Sequence, residues 1–387
     1  MKSIRFLVFL FAPILAAAQA THIQHPILPL GSPAPDFSLP GVDGKIHSLS
    51  DYAASPVLAV IFACNHCPIS QMYEQRIQQL YNEYTPKGVA VVVIQPNDPK
   101  ALRIDELDSS DISDTLDEMK IRVAWKRLTY PYLYDGDTQS FTRAYGPQAT
   151  PHVFIFDSAR HLRYEGRFDN SYRIEQVKTQ DARSAIDALL AHKDPPLTHT
   201  GSFGCSTKWA EKSADRIAAI NKLDAKPVEV SAVSADGLKS LRANPAKKYT
   251  LINFWATWCG ACVDELPELE ETYRMYSVRD IDYVLVSANQ PDEREGVLRM
   301  LKHFHSTGRN LLFDSADTEA LQKAFNPKWD SAVPYTVFLD PDGKILYEQL
   351  GSLDILKLRR TILAALPSDY VGFNQYWSSG LAANANQ

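Results

Sequence analysis

Tyr249-Thr250-Leu251-Ile252-Asn253-Phe254-Trp255-Ala256-Thr257-Trp258-Cys259-Gly260-Ala261-Cys262 is an apolar, strand-forming run that ends in two cysteines, and a helical pattern follows it. A helix N-terminus carries partial positive charge and unpaired N–H groups. Both favour a thiolate on the first sulfur, and the thiolate is the nucleophile. Two intervening residues let the second sulfur reach the first. The pattern therefore points to thiol–disulfide exchange. A looser copy lies earlier: Val57-Leu58-Ala59-Val60-Ile61-Phe62-Ala63 leads into Cys64-Asn65-His66-Cys67, then Pro68 and another helical stretch.

The rest of the chain is read outward from these two copies. It has 387 residues, enough for two packed cores, with 45% hydrophobic and 22% charged residues. The formal net charge of -6 argues against a nucleic-acid surface. Residues 1–20 read as a cleavable signal: Lys2 and Arg5, then apolar Phe6 to Ala18, then Ala18-Gln19-Ala20. The run is short for a membrane span, so export to the periplasm or a similar compartment is expected, without stable membrane insertion after cleavage. Of five cysteines, four form the two close pairs. A bond across so small a loop constrains the unfolded chain little, so redox or metal chemistry explains the pairs better than stapling. Cys205 stands alone.

Both halves carry the same order of elements, which predicts a duplicated α/β domain, each copy a central mixed sheet flanked by helices. The expected division is signal 1–20, domain one 21–199, a connector 200–225 holding Cys205, and domain two 226–387. Asp105 to Glu118 holds seven acids and no Lys or Arg, and reads as a solvated loop leading into a helix. The aromatic stretch Tyr370, Phe373, Tyr376 and Trp377 reads as packing onto domain two, and the tail from Gly380 as frayed. His303 and His305 point to different helix faces and make a poor metal pair.

Each half also places a proline just before a strand: Pro151 in Ala149-Thr150-Pro151-His152 and Pro334 in Ala332-Val333-Pro334-Tyr335. With the cysteines ahead of them, these prolines make the chain resemble a tandem thioredoxin-like protein. The second half is similar to TlpA/ResA-type periplasmic thioredoxins. It carries Trp258, Cys259, Cys262, Glu265 and Pro267 in the pattern Trp-Cys-x-x-Cys-x-x-Glu-x-Pro. The first half resembles redoxin domains of the alkyl-hydroperoxide-reductase/TlpA-like group, through Pro35-Asp36-Phe37, Cys64 to Pro68, Pro131 to Asp135 and Thr150 to His152. Ala63 replaces the tryptophan before the first cysteine. Counted from Cys64, Ile61 stands where a peroxiredoxin has threonine, which argues against peroxidase activity.

The resemblance implies an oxidoreductase whose prolines are cis and face the sulfurs. Cys259 is the expected attacking thiolate and Cys262 the resolving sulfur. Glu265 could move the proton that resolution needs, and Trp258 offers a flat contact surface. In domain one, protonated His66 would stabilise a Cys64 thiolate and make Cys64/Cys67 the more oxidising pair. No cofactor beyond the two redox-active disulfides is expected. The partners are protein thiols or disulfides and an upstream thiol reductase or oxidase. One alternative is a soft-metal site from Cys64, Cys67, His66 and His152, since sulfur and imidazole suit copper(I) or zinc. A non-catalytic interaction module is another. Cys205 reads either as a buried inert thiol in a linker turn or, with Gly201 and Gly204 to permit close approach and Trp209 to anchor the connector, as a third thiol brought near Cys64.

Overall fold

The computed structural model describes residues 25–384, so the expected signal segment lies outside the described residues. A small antiparallel hairpin, β1 (Ser38–Pro40) and β2 (Ile46–Ser48), opens domain one. Then come β3 (Val57–Phe62), α1 (Pro68–Tyr84), β4 (Val89–Gln95), α2 (Leu116–Lys126), β5 (Tyr132–Tyr134) and α3 (Ser140–Tyr145). A two-residue strand β6 (Ala149–Thr150) precedes β7 (His152–Phe156), β8 (Leu162–Gly166) and α4 (Asp181–Leu190). The main sheet has the order β5-β4-β3-β7-β8. β3 and β4 are parallel, and every residue of both is buried, as continuous Val/Ile runs require when helices cover both faces.

The connector contributes β9 (Cys205–Ser206) and α5 (Ser213–Asp224). Domain two repeats the plan with β10 (Ser231–Val233), α6 (Ala235–Ala243), β11 (Tyr249–Trp255), α7 (Gly260–Tyr276), β12 (Ile281–Ser287) and α8 (Arg294–His303). β13 (Arg309–Phe313), α9 (Thr318–Phe325), β14 (Tyr335–Leu339), β15 (Ile345–Leu350), α10 (Ile355–Ala365) and α11 (Phe373–Asn384) complete it. Its sheet order is β10-β13-β12-β11-β14-β15, one outer strand more than domain one. Both proposed prolines follow cis bonds, Thr150–Pro151 and Val333–Pro334. No helix among the described residues is long and apolar enough to cross a membrane.

Three sequence expectations fail at the seam between the domains. The acidic stretch is not a solvated loop. Asp111 and Asp114 are fully buried, because cations distant in sequence neutralise them. Asp111 accepts from Arg122 Nη2 and from Arg360 Nε, both at 2.7 Å. The aromatic tail does not pack on domain two alone: Trp377 stacks on Trp125 of domain one at 5.1 Å, and Tyr376 donates to Glu74 at 2.5 Å. Nor does the chain fray at Gly380, since α11 runs on to Asn384. A side chain at Gly380 would sit 2.3 Å from Trp125, so glycine is what lets the helix lie against that ring.

Candidate thiol centres

In domain two, Cys259 is the N-cap of α7, and its sulfur accepts from Cys262 N at 3.2 Å. The two cysteines are joined by a disulfide. The Cys259 sulfur lies 3.6 Å from the carbonyl oxygen of Val333, the residue before cis-Pro334. Trp258 beside it is 65% exposed, the largest apolar side chain on this surface. Glu265 lies one helical turn past Cys262 and is buried. It accepts from Asn253 Nδ2 at 2.9 Å and from Leu353 N at 3.2 Å. Burial outweighs these two bonds and pushes its carboxyl up to about 7. A group poised there can give or take a proton near neutrality.

Domain one places its cysteines differently. The N-cap of α1 is Cys67, the second cysteine, with Pro68 opening the helix. Its sulfur lies 3.4 Å from the carbonyl of Thr150, the residue before cis-Pro151. The sheet gives the same alignment independently. Phe62 pairs with His152, and Phe254 pairs with Tyr335, each partner being the residue after its cis-proline. Counting on from Phe62 and Phe254, Cys67 matches Cys259. Cys64 matches Ala256, His66 matches Trp258, and Ser70 matches Cys262. The expectation that Cys64 is the counterpart of Cys259 is therefore corrected, because the helix begins three residues later relative to the motif. Counted from Cys67, the residue three before is Cys64 itself, again not threonine.

The charge follows this register. Burial opposes a Cys67 thiolate, but hydrogen bonds from Cys205 and Cys64, the charge of His66 and the Ser70 N–H together hold the thiol well below its ordinary range. Cys64 moves the other way: burial, then its bond to Cys67 and the charge of Asp114, keep it protonated. Its sulfur sits 3.1 Å from Thr150 Oγ1.

His66 is buried, and its charge supports the Cys67 thiolate rather than the expected Cys64 thiolate. It is 2% exposed, and its Nδ1 lies 2.6 Å from Asp114 Oδ2. Burial disfavours its charged form, but the charge and hydrogen bond of Asp114 override this and raise its pKa. Asp114 is itself fixed by the N–H groups of Asn65 and His66, at 2.9 and 3.1 Å, and by Asn97 Nδ2 at 2.8 Å. The acidic run therefore holds a site residue that sequence reasoning missed.

His152 leaves the expected metal set. Its Nε2 lies 2.9 Å from Glu165 and its Nδ1 accepts from Gln148 N at 3.2 Å, so both ring nitrogens are engaged. Donor atoms of Cys64, His66 and Asp114 do lie within 4.8 Å of one another, and His66 Nε2 is buried without a hydrogen-bond partner. Cys205 approaches Cys67 rather than Cys64, its N–H donating to the Cys67 sulfur at 3.3 Å.

Comparison with known proteins agrees with the two-copy architecture. The AhpC/TSA family matches residues 30–165, and the Redoxin family matches residues 212–360. The thiol-disulfide oxidoreductase ResA of Bacillus thuringiensis is 27% identical over 27% of this chain and 56% of its own length. The thiol:disulfide interchange protein CycY of Rhizobium leguminosarum is 27% identical over 31% of this chain and 59% of its own. The chain thus spans little more than half the length of these curated relatives. The solved structure of a hypothetical protein from Sinorhizobium meliloti 1021 is 35% identical, covering 48% of this chain and 98% of its own, with a TM-score of 0.42.

Proposed function

As a tandem thioredoxin-like chain, an AhpC/TSA-type domain followed by a redoxin domain of the TlpA/ResA type, the protein is, we propose, an exported thiol–disulfide oxidoreductase acting on protein thiols and disulfides. One observation carries the reading. Cys259 caps a helix N-terminus between exposed Trp258 and cis-Pro334, with buried Glu265 one turn beyond its partner sulfur. Cys259 attacks a client sulfur, Cys262 resolves the mixed disulfide, and Glu265 exchanges the proton with Cys262. Trp258 gives the client an apolar platform. Domain one is the second redox centre, with Cys67 as its stabilised thiolate. Electrons come from or pass to another thiol protein. Cys262→Ser should trap client proteins as mixed disulfides through Cys259, read by non-reducing electrophoresis. A Cys262→Ser chain that captures nothing from a reduced or oxidised insulin mixture contradicts the reading.

A second reading rests on the unpartnered His66 Nε2 beside Cys64 and Asp114. These donors suit a soft ion such as copper(I) or zinc. Equilibrium dialysis of the reduced chain against each ion, with His66→Ala as control, tests it. Binding unchanged by that substitution removes it.

A further inference from the structure

Domain one lacks the helix-borne second sulfur of domain two, because Ser70 stands in the place of Cys262. The Ser70 hydroxyl accepts from Cys64 N at 3.0 Å, and its N–H faces the Cys67 sulfur at 3.5 Å. A partner for Cys67 must come from elsewhere. Cys64 is enclosed, whereas Cys205 is partly exposed.

The connector is built to bring Cys205 there. β9 adds antiparallel to β6, with Cys205 opposite Thr150 and Ser206 opposite Ala149. This is strand addition onto an otherwise open backbone edge. Gly204 has φ +140, and a Cβ on it would meet the Thr150 carbonyl oxygen at 2.0 Å, so only glycine allows the approach. Thr207 Oγ1 donates to Pro147 O at 2.7 Å, and Lys208 N donates to Asn97 Oδ1 at 2.8 Å. Trp209 stacks on His25 at 3.6 Å. Among the described residues no strand covers the corresponding backbone before Pro334.

We propose that Cys67 and Cys205 are the working redox pair of domain one, and that their disulfide exchanges with external thiols at the Cys205 sulfur. The proposal rests on the thiol–disulfide reading of this domain. In the reducing direction a thiolate RS⁻ attacks Cys205 Sγ, the S–S bond breaks, and Cys67 leaves as a thiolate. A second RS⁻ then attacks the R sulfur of the Cys205 mixed disulfide. This releases RSSR and a Cys205 thiolate, which takes up one proton. Two external thiols are oxidised and one protein disulfide is reduced. With a disulfide RSSR as oxidant the same steps run backward. Two features favour this route. The attacked sulfur is the more accessible one, and the sulfur expelled caps a helix N-terminus and faces the N–H groups of Ser70 and Cys205, which stabilise the departing anion.

The test uses the full chain carrying Cys259→Ser and Cys262→Ser, so that only three thiols remain. It is reduced, exposed to oxidised glutathione, quenched with iodoacetamide and mapped without reduction. The expected result is a Cys67–Cys205 peptide preceded by glutathione on Cys205. The same linkage should form when Cys64→Ser is added. Gly204→Ala, which keeps all three sulfurs but displaces β9, should slow it. A Cys64–Cys67 linkage with Cys205 alkylated as a free thiol overturns the proposal, and that result needs no substitution in domain one. Insulin reduction by the unsubstituted chain, run alongside, tests the domain-two reading separately.

Discussion

Cys67 and Cys259 occupy one place in two copies of one fold, yet their surroundings are opposite. Cys259 is bordered by an exposed tryptophan, and its partner sulfur rides on the same helix. Cys67 is wholly buried, is bordered by a buried His66–Asp114 pair, and has a connector strand across it. A helix N-cap beside a cis-proline is thus the constant part of the device. What varies is where the second sulfur comes from and whether a folded client can reach the first. Domain two carries both sulfurs on one helix beside an exposed ring; domain one is arranged around its own connector.

The largest expected effect separates the copies outright. Cys259→Ser should abolish insulin reduction by the full chain, because Cys64 and Cys67 are buried and Cys205, held in the connector strand, is only partly exposed to a folded client. Undiminished turnover in that variant would make domain one a client-facing site and break the contrast.

Glu265→Gln comes next. Its carboxyl, raised to about 7 mainly by burial, is protonated below that pH and a base above it. Exchange at Cys262 should rise with pH through about 7 in the parent and lose that step in the variant, with a fall of roughly 100-fold. The same shift bears on stability. A carboxyl raised in the folded state adds stability below its unfolded value and loses it as pH rises through about 7. The glutamine chain should therefore lose less stability over that interval, measured by urea unfolding at several pH values.

Asp114→Asn sharpens the contrast from the other side. Without that charge His66 is no longer held protonated, and Cys67 loses part of its support. The Cys67 thiolate titration should move up, with the Cys259 site unaffected. Ultraviolet thiolate absorbance checks it.

Trp258→Ala carries the smallest effect. The ring is mostly exposed, so unfolding stability should stay within about 0.5 kcal/mol. The apparent KM for insulin should rise a few-fold.

Much of this was legible in the chain. The two Cys-x-x-Cys runs, both cis-prolines, Glu265 and the repeated order of elements all show in local patterns of a few residues. The buried acids did not. Asp111 and Asp114 sit in a run that looks solvated, because their partners lie outside it: His66 and Arg122 meet them when domain one folds, and Arg360 meets Asp111 only once the domains pack. The register of domain one was readable but was misread. Pro68 directly after Cys67 marks the first helical position, which makes Cys67 the cap. The glycine-flanked connector made the approach of Cys205 one of two readings, beside a buried inert thiol. Its choice of Cys67 over Cys64 depended on strand pairing at Thr150, which no local pattern reveals.

The central claim is that the stabilised thiolate of domain one is Cys67, the second cysteine of its motif. The most direct measurement is a thiolate titration at 240 nm of the full chain lacking Cys259 and Cys262, compared in Cys64→Ser and Cys67→Ser backgrounds. The account expects the low-pH thiolate signal to survive in Cys64→Ser and to vanish in Cys67→Ser. A signal that vanishes in Cys64→Ser and survives in Cys67→Ser would contradict it.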